Sequence, residues 1–301
     1  MNAELLIMFT LDCDRAYLYA HPERELTAEE MSRYDDALAR RATGVPAQYI
    51  TGHQEFWGLD LIVSPAVLIP RPETEHVVEA VLELARERAG CEEGLDHKQP
   101  EEARSQKQLN HLGYAKAHGK PAASSAPRTL RIVDVGTGSG AIALALAKEL
   151  HTAEIHATDI SVEALEVAQA NAARHDLSLR IHFHHADLLT GLAIADQHQL
   201  DFVVSNPPYV GGSEEDQVQL EVRKFEPRDA VFAGPTGLEV IRRLIPQAWE
   251  VLRPGGWLVI EISGTIVHEV RSLLTQWDEV AIKNDLQGIP RVAVARRSAR
   301  N

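Results

Sequence analysis

From residue 130 to its end, the chain alternates short apolar segments with segments of helical periodicity. Seven of the apolar segments are predicted to be strands, namely residues 130–135, 154–159, 179–184, 200–205, 257–262, 280–283 and 291–295. Helices are predicted at residues 141–150, 161–175, 238–252 and 267–276, with Ser161 as an N-cap. Repeated strand–helix–strand units build a mostly parallel, doubly wound sheet with helices on both faces. The second part of the chain is therefore predicted to be an α/β domain.

The first part of the chain has a different pattern. Apolar residues at partly helical spacing predict one helix over residues 3–19, and Thr27 with Glu30 forms a capping-box pattern at the start of a second. Aromatic and β-branched residues broken by glycines over residues 49–63 predict a β-hairpin. Residues 90–128 are rich in Gln, Ala, Ser, Lys, Glu and His, which predicts a flexible insertion.

Composition narrows the classes of function. The chain has 301 residues and a formal net charge of -14, which disfavours binding to a phosphate backbone and favours a protein or small-molecule partner. Its two cysteines, Cys13 and Cys91, form no CxxC pair, so we expect a reducing, cytoplasmic location. The apolar stretch at residues 5–11 is far shorter than the roughly 18 residues of a membrane span, so no membrane association is expected.

A glycine loop follows the first strand of the α/β part. Residues 134–140 read DVGTGSG, and Asp159 ends the next strand 19 residues after Gly140 (159 minus 140). Glycines allow a ligand to approach the backbone, and an acidic residue about 20 positions later reaches a ribose hydroxyl. This order and spacing predict a nucleoside site. The loop alone does not exclude a dinucleotide, because Ala141 also fits the third small position of that motif.

The tetrapeptide Asn206-Pro207-Pro208-Tyr209 follows the strand at residues 200–205. Proline fixes its own φ and restricts the residue before it, so the Asn206 side-chain oxygen and the Pro207 carbonyl are predicted to be two rigid acceptors. Two such acceptors match the two hydrogens of a planar NH2 group, and Tyr209 is expected to pack against its plane. A glutamine amide and the exocyclic amine of adenine or cytosine both fit. The simpler alternative is an Asn-Pro turn.

Two further clusters have competing interpretations. His182, His184 and His185 lack a carboxylate or cysteine at ligand spacing, so no metal site is predicted. The charges at Arg71, Glu73 and Glu75 belong either to the start of a helix or to the border of the site.

Taken together, these motifs resemble the HemK/PrmC family of peptide chain release factor N5-glutamine methyltransferases. The resemblance runs from about residue 27 to 296 and includes YITG at 49–52, LIPRPETE at 68–75, the glycine loop, residues 206–209 and RKFEP at 223–227. It implies a class I methyltransferase (Rossmann-like) fold with a seven-stranded sheet. It also implies methyl transfer from S-adenosyl-L-methionine to the glutamine of the Gly-Gly-Gln motif in class I release factors.

The resemblance also implies an organisation and a set of site residues. Residues 1–45 would be a helical release-factor-docking domain, about one helix shorter than the family pattern and so truncated, residues 46–71 a hairpin linker, and residues 72–301 the methyltransferase domain. Asn206, Pro207 and Tyr209 would be catalytic, and together with Pro208 they would bind substrate. The cofactor would be held by Gly136, Thr137, Gly138, Ser139, Gly140, Asp159, Asp187, Leu188 and Asn206.

Three points stay open within this assignment. Leu188 stands where relatives commonly present an aromatic residue to the adenine. Asp187 either lies beside the adenine or caps a helix before Leu188. The alternative function is a DNA or RNA adenine N6, or other amino, methyltransferase that uses the same tetrapeptide; it would require a base-flipping pocket and a basic face.

Overall fold

The computed structural model of the protein describes residues 2–96, 128–192 and 199–299. Its strands are β1 (His53–Phe56), β2 (Leu59–Ile62), β3 (Arg131–Val135), β4 (Glu154–Asp159), β5 (Ile181–His185), β6 (Leu200–Ser205), β7 (Val210–Gly211), β8 (Phe232–Gly234), β9 (Leu252–Glu261), β10 (Asp278–Asn284) and β11 (Pro290–Arg296). Its helices are α1 (Asn2–Leu11), α2 (Arg15–Ala20), α3 (Ala28–Ala42), α4 (Ala47–Thr51), α5 (Glu75–Asp96), α6 (Ala141–Glu149), α7 (Val162–Arg174), α8 (Leu220–Phe225), α9 (Arg228–Val231), α10 (Glu239–Val251) and α11 (Val267–Leu273).

Seven strands form one sheet in the order β10-β11-β9-β6-β3-β4-β5. The strands from β5 to β9 are parallel, and β11 is antiparallel to both β9 and β10. Apolar side chains of α5 and α6 form a core on one face of the sheet, and those of α10 and α11 form a core on the other. The prediction of a doubly wound, mostly parallel, seven-stranded α/β fold is confirmed. None of the helices within the described ranges is long and apolar enough to cross a membrane.

The N-terminal region contains more helices than its sequence pattern predicted. The prediction of a single helix over residues 3–19 is wrong. The first helix ends before Asp12, whose φ is +49°, and a second helix begins after Asp14. The Asp14 side chain accepts a hydrogen bond from the backbone N–H of Tyr17 and so caps α2. The capping box of Thr27 and Glu30 at the start of α3 is confirmed.

The hairpin of β1 and β2 is present, with a turn at Trp57 and Gly58, whose φ angles are +55° and +65°. Residues 49–51 lie outside it, in α4, instead of forming the extended start of the hairpin segment; Gly52 ends that helix in the left-handed conformation. The insertion was predicted to begin at residue 90, but the backbone of α5 stays helical through residues 90–96. Residues 97–127, which are the rest of the predicted insertion except Arg128, lie outside the described residues.

Candidate active site

Strand register brings the predicted site segments to one edge of the sheet. Val135 pairs with Ser205 on one side and with Thr158 on the other, and Asp159 pairs with His185. The Ser205 hydroxyl donates a hydrogen bond of 2.7 Å to the Val135 carbonyl. The segments that follow these strand ends therefore emerge side by side at the carboxyl edge, where doubly wound sheets bind ligands.

The glycine loop leaves open space beside its backbone. Gly136 and Gly138 have φ angles of +70° and +55°, and a Cβ at either position would meet nothing within 4 Å. Gly140, at φ +85°, is instead packed tightly, because a Cβ there would lie 2.4 Å from the Leu144 side chain. The first two glycines thus form a cradle open to a ligand, and the third allows the helix that follows to pack closely.

Asp159 is fixed beside this cradle by backbone donors. Its Oδ2 accepts from the Gly138 N–H at 2.8 Å, and its Oδ1 accepts from the Ser161 N–H at 2.9 Å. Burial raises the pKa of Asp159, and these backbone hydrogen bonds oppose the rise. Each carboxylate oxygen has a second lone pair, so the side chain retains acceptor capacity for a ligand hydroxyl.

The polar side chains within the loop point into the protein. The Thr137 hydroxyl donates to Asp134 Oδ2 at 2.7 Å, and that oxygen also accepts from the Ala143 N–H at 3.1 Å. Asp134 is 1 % exposed, and burial raises its pKa to about 7. Ser139 is buried as well, and its carbonyl accepts from the side chain of Asn171. The loop therefore presents backbone, and not hydroxyl groups, to the open side.

Asp187 and Leu188 follow β5 in a turn. Asp187 forms an ion pair with Arg243 of α10, and no helix begins at this turn for it to cap. Leu188 has a φ of +56°, and its side chain packs against the core on the α10 face. The structure thus shows a leucine packed against the protein at the position where relatives commonly present an aromatic residue.

The Asn206 corner depends on two side chains from distant segments. The Asn206 Nδ2 donates to the Thr74 hydroxyl oxygen at 3.0 Å, across 132 residues of sequence. The Tyr209 hydroxyl donates to Glu261 Oε1 at 3.1 Å. Burial and the charge of Glu261 raise the pKa of Tyr209, so its hydroxyl stays protonated and acts as a donor. Because the Asn206 nitrogen is engaged by Thr74, its Oδ1 is left as the acceptor.

Residues 206–209 line one cavity of about 610 Å³. Charged side chains contribute to its wall, namely Arg71, Glu73, Glu261 and Arg291. Arg71 forms an ion pair with buried Glu226, and Glu73 lies 3.8 Å from Arg291. Glu75 lies elsewhere, because it accepts from the Trp57 N–H at the hairpin turn. Of the three charges with two interpretations, Arg71 and Glu73 border the cavity.

Sequence reasoning did not single out Thr74, Glu226 or Glu261 as site residues. Glu261 is 2 % exposed and ends β9 at the ligand-binding edge, so a carboxylate at the end of an apolar strand was the available signal. Thr74 and Glu226 lie within two segments that carry the family resemblance, but their contacts become visible only in three dimensions.

The predicted histidine cluster is larger than its sequence pattern suggested. His182 stacks against His156 of β4 with ring centroids 5.0 Å apart, and a hydrogen bond of 3.1 Å joins the rings of His184 and His156. His156 also lies 3.1 Å from Glu154. Among the residues whose positions are described, no group of three or more His, Cys, Asp or Glu side chains has a geometry that would hold a metal ion.

Comparison with known proteins assigns the chain to a family. The family model "PrmC N-terminal domain" matches residues 1–52, and the model "Methyltransferase small domain" matches residues 123–224. A release factor glutamine methyltransferase of Koribacter versatilis is 50% identical over 99% of this chain and 91% of its own length. This chain belongs to the release factor glutamine methyltransferase family. The resemblance inferred from its motifs is confirmed.

More distant relatives agree with the assignment. The protein of the same name from Nitratidesulfovibrio vulgaris is 35% identical over 99% of this chain and 88% of its own length. Among solved structures, the hMettl16 catalytic domain in complex with an RNA hairpin covers 96% of this chain and 93% of its own, with a TM-score of 0.55 and 16% identity. That similarity supports the class I methyltransferase fold alone.

Proposed function

We propose that this protein transfers a methyl group from S-adenosyl-L-methionine to the side-chain amide nitrogen of the glutamine in the Gly-Gly-Gln motif of class I release factors. The observation that carries the proposal is the Asn206 corner. Its amide nitrogen is engaged by Thr74 at 3.0 Å, and the four residues of the tetrapeptide line one cavity. The strand before the tetrapeptide pairs with the strand before the glycine loop. Relatives named for this activity match nearly the whole chain.

The residues at the glycine loop fit a nucleoside cofactor. Gly136 and Gly138 would offer backbone to it, since a side chain at either position would occupy the open cradle. Gly140 would support the cofactor site by allowing the following helix to pack closely. Thr137 and Ser139 would present their backbone groups to the cofactor. Asp159 would accept from the ribose, and Asp187 and Leu188 would border the adenine. The cofactor supplies an electrophilic methyl group.

At the other end, Asn206 Oδ1 and the Pro207 carbonyl would accept the two hydrogens of the glutamine amide. Pro208 and Tyr209 would form the walls of the slot. The amide nitrogen would attack the methyl carbon as the sulfur–carbon bond breaks, and the nitrogen would then release one proton to solvent. Orientation can supply up to about 7–11 kcal/mol of a barrier, so no general base is needed in this arrangement.

A protein partner suits the net charge of the chain better than a nucleic acid does. The net charge of -14 opposes a phosphate backbone. The N-terminal helices would dock the release factor, and an ion pair between Arg41 of α3 and Glu221 joins them to α8, whose Val222 lines the cavity. The cysteine pattern, which favours a reducing environment, supports the cytoplasm as the location of the reaction.

The test supplies radiolabelled S-adenosyl-L-methionine and three acceptors, which are a class I release factor, the same factor with its motif glutamine changed to asparagine, and adenine-containing DNA and RNA. We expect label on the intact factor, located at the motif glutamine by mass spectrometry. The asparagine variant lacks one methylene, which can cost as little as about 1–3 kcal/mol, so it should react slowly. Label on nucleic acid but not on the factor would establish the alternative acceptor.

A further inference from the structure

We propose that Arg71 is a specificity-determining residue that donates hydrogen bonds to a main-chain carbonyl of the substrate beside the methylated glutamine, and that Glu226 is the positioning residue that orients it. This inference rests on the methyl transfer proposed above. It deepens that function by naming a group that recognises the polypeptide around the target amide.

The backbone at both residues is restricted by proline. Arg71 lies between Pro70 and Pro72, and Glu226 precedes Pro227. A residue before proline is confined to extended conformations, and the φ and ψ angles are -100° and 145° at Arg71 and -87° and 154° at Glu226. Each side chain therefore extends from a backbone with little freedom, which lowers the entropy lost when a ligand is bound.

Glu226 holds one end of the Arg71 guanidinium. The Glu226 side chain is 2 % exposed; its Oε1 accepts from Arg71 Nη2, and its Oε2 accepts from the backbone N–H of Ile69 at 3.1 Å. An arginine side chain carries five N–H donors. In the part of the chain that the structure describes, no acceptor bonds the Nε or Nη1 groups of Arg71, whose side chain is 33 % exposed. The guanidinium is thus anchored at one nitrogen and retains donors for a ligand.

Arg71 also lies where two cavities meet. It lines the cavity of residues 206–209, and it lines a second cavity of about 180 Å³ whose wall includes Gln48 of α4. Val222 of α8 is likewise shared by the two cavities. A polypeptide that reaches from the N-terminal helices to the Asn206 corner would therefore pass this guanidinium.

The charges around Arg71 favour a neutral acceptor. Each of the two arginines that line the larger cavity is paired with a carboxylate, Arg71 with Glu226 and Arg291 with Asp285. Paired charges attract a phosphate or carboxylate ligand only weakly. The glycines beside the target glutamine have no side chains, so a protein can recognise them only through main-chain groups. A peptide carbonyl is an acceptor that meets both conditions.

The test measures kcat and KM for methylation of an intact class I release factor, and the Kd of S-adenosyl-L-methionine by calorimetry. Arg71→Met removes the donors and should raise the KM for the release factor about ten- to hundredfold, the range for loss of a hydrogen bond to a charged group. We expect kcat and cofactor Kd to change by less than about threefold, because a contact made equally before and during the reaction affects KM alone. Arg296→Met is the matched control, since Arg296 also forms an ion pair, with Glu279, but lies beside Trp257, away from the ligand-binding end of β9.

A double-mutant cycle tests the role of Glu226. Glu226→Gln alone should raise KM about three- to tenfold, and by less than about twofold in the Arg71→Met background, because a neutral amide holds the guanidinium less firmly than a carboxylate does. An equal rise in both backgrounds would show that Glu226 acts independently of Arg71 and would contradict its positioning role. The double variant leaves no unpaired charge at this buried position, so it decides the effect of Arg71 if the single Arg71→Met variant does not fold.

Salt dependence identifies the acceptor. For a neutral carbonyl, the ratio of KM between Arg71→Met and wild type should stay within about twofold from about 0.05 to about 0.5 M KCl, whereas an acidic side chain of the partner would make it fall several-fold. A falling ratio, or a wild-type KM in Arg71→Met, would overturn the inference and leave the methyl transfer intact. Absence of release-factor methylation by the wild-type protein would instead reject the proposed function, and this inference with it.

Discussion

The two ends of the candidate active site are built from contacts of very different sequence separation. At the glycine loop, Asp134 accepts hydrogen bonds from residues three and nine positions away in the sequence. Gly138 donates a hydrogen bond to Asp159, 21 positions away. At the Asn206 corner, the side chain of Asn206 contacts Thr74 across 132 residues of sequence, and Arg71 contacts Glu226 across 155. The first end is a local backbone structure, whereas the second exists only when the whole sheet has formed.

This difference predicts different responses to substitution. A backbone cradle is sensitive to added volume and to the conformations that only glycine adopts easily. A corner built from side chains is sensitive to the loss of one hydrogen-bonding group, even where the fold is unaffected. Stability and cofactor affinity should therefore report on the first end, and turnover on the second.

The largest effect is expected from Asn206→Ala. Removing the oriented acceptor should lower kcat by about 10²–10⁴-fold, because positioning is the main contribution to rate in this arrangement. Cofactor Kd should rise by less than about tenfold. Single-turnover methylation and calorimetry measure the two quantities, and Asn284→Ala, at an exposed asparagine of β10, is the control. Unchanged turnover in Asn206→Ala would contradict the expected difference between the glycine loop and the Asn206 corner.

Gly140→Ala should damage the glycine end through packing. The new Cβ would lie 2.4 Å from the Leu144 side chain and 3.2 Å from the Ala168 Cβ, at a φ of +85°. Overpacking and backbone strain together should lower the free energy of unfolding by about 2–4 kcal/mol. Urea denaturation measures this loss, and a variant as stable as wild type would contradict the packing described here.

Gly136→Ala should separate cofactor binding from stability at the same loop. Its φ is +70°, but a Cβ would meet nothing within 4 Å, so only strain of about 1–2 kcal/mol is expected. The added methyl would occupy the cradle and should raise the cofactor Kd about tenfold. A destabilisation as large as that of Gly140→Ala, with an unchanged Kd, would show that the open space has no binding role.

The smallest effect concerns the pH dependence of stability at Asp134. Burial raises its pKa from 3.8 to about 7, so between these values the folded state binds the extra proton. The contribution of protonated Asp134 to stability is complete below pH 3.8, which is its pKa in the unfolded chain. This contribution is lost as pH rises through about 7. Asp134→Asn should flatten this decline by on the order of 1 kcal/mol between pH 6 and 8. Thermal unfolding against pH measures it, with exposed Asp278→Asn as the control; parallel curves for Asp134→Asn and wild type would contradict the assignment.

The same contrast explains what the sequence could predict. Strands β4 and β6 were predicted at their observed bounds, because short strand segments that alternate with helical ones, and the loops after them, are local signals. The two-helix start of the chain was missed because a capping aspartate competes with a continuing helix over a few residues. Likewise, Tyr49–Thr51 has β-type residues but folds as α4, where burial against other segments outweighs propensity.

For the site, the sequence predicted residues of the loops at the sheet edge, but not the side chains that support them. Asn206 was recognised because proline restricts its backbone, which is a property of two adjacent residues. Its partner Thr74 lies before the first strand of the sheet, and nothing in the spacing of the chain shows that the two meet. Glu261 was missed for the same reason, since only the strand order places the end of β9 beside the end of β6.

Asn171 of α7 has a consequence of a different kind. Its fully buried amide donates to the carbonyls of Ile62 and Ser139, both at 2.9 Å, and accepts from the Ile62 N–H at 2.6 Å. One side chain thereby connects the end of β2 to the glycine loop. Rotation of the linker would have to break this junction, so the N-terminal helices and the glycine cradle should move as a single unit when a large protein partner presses on them.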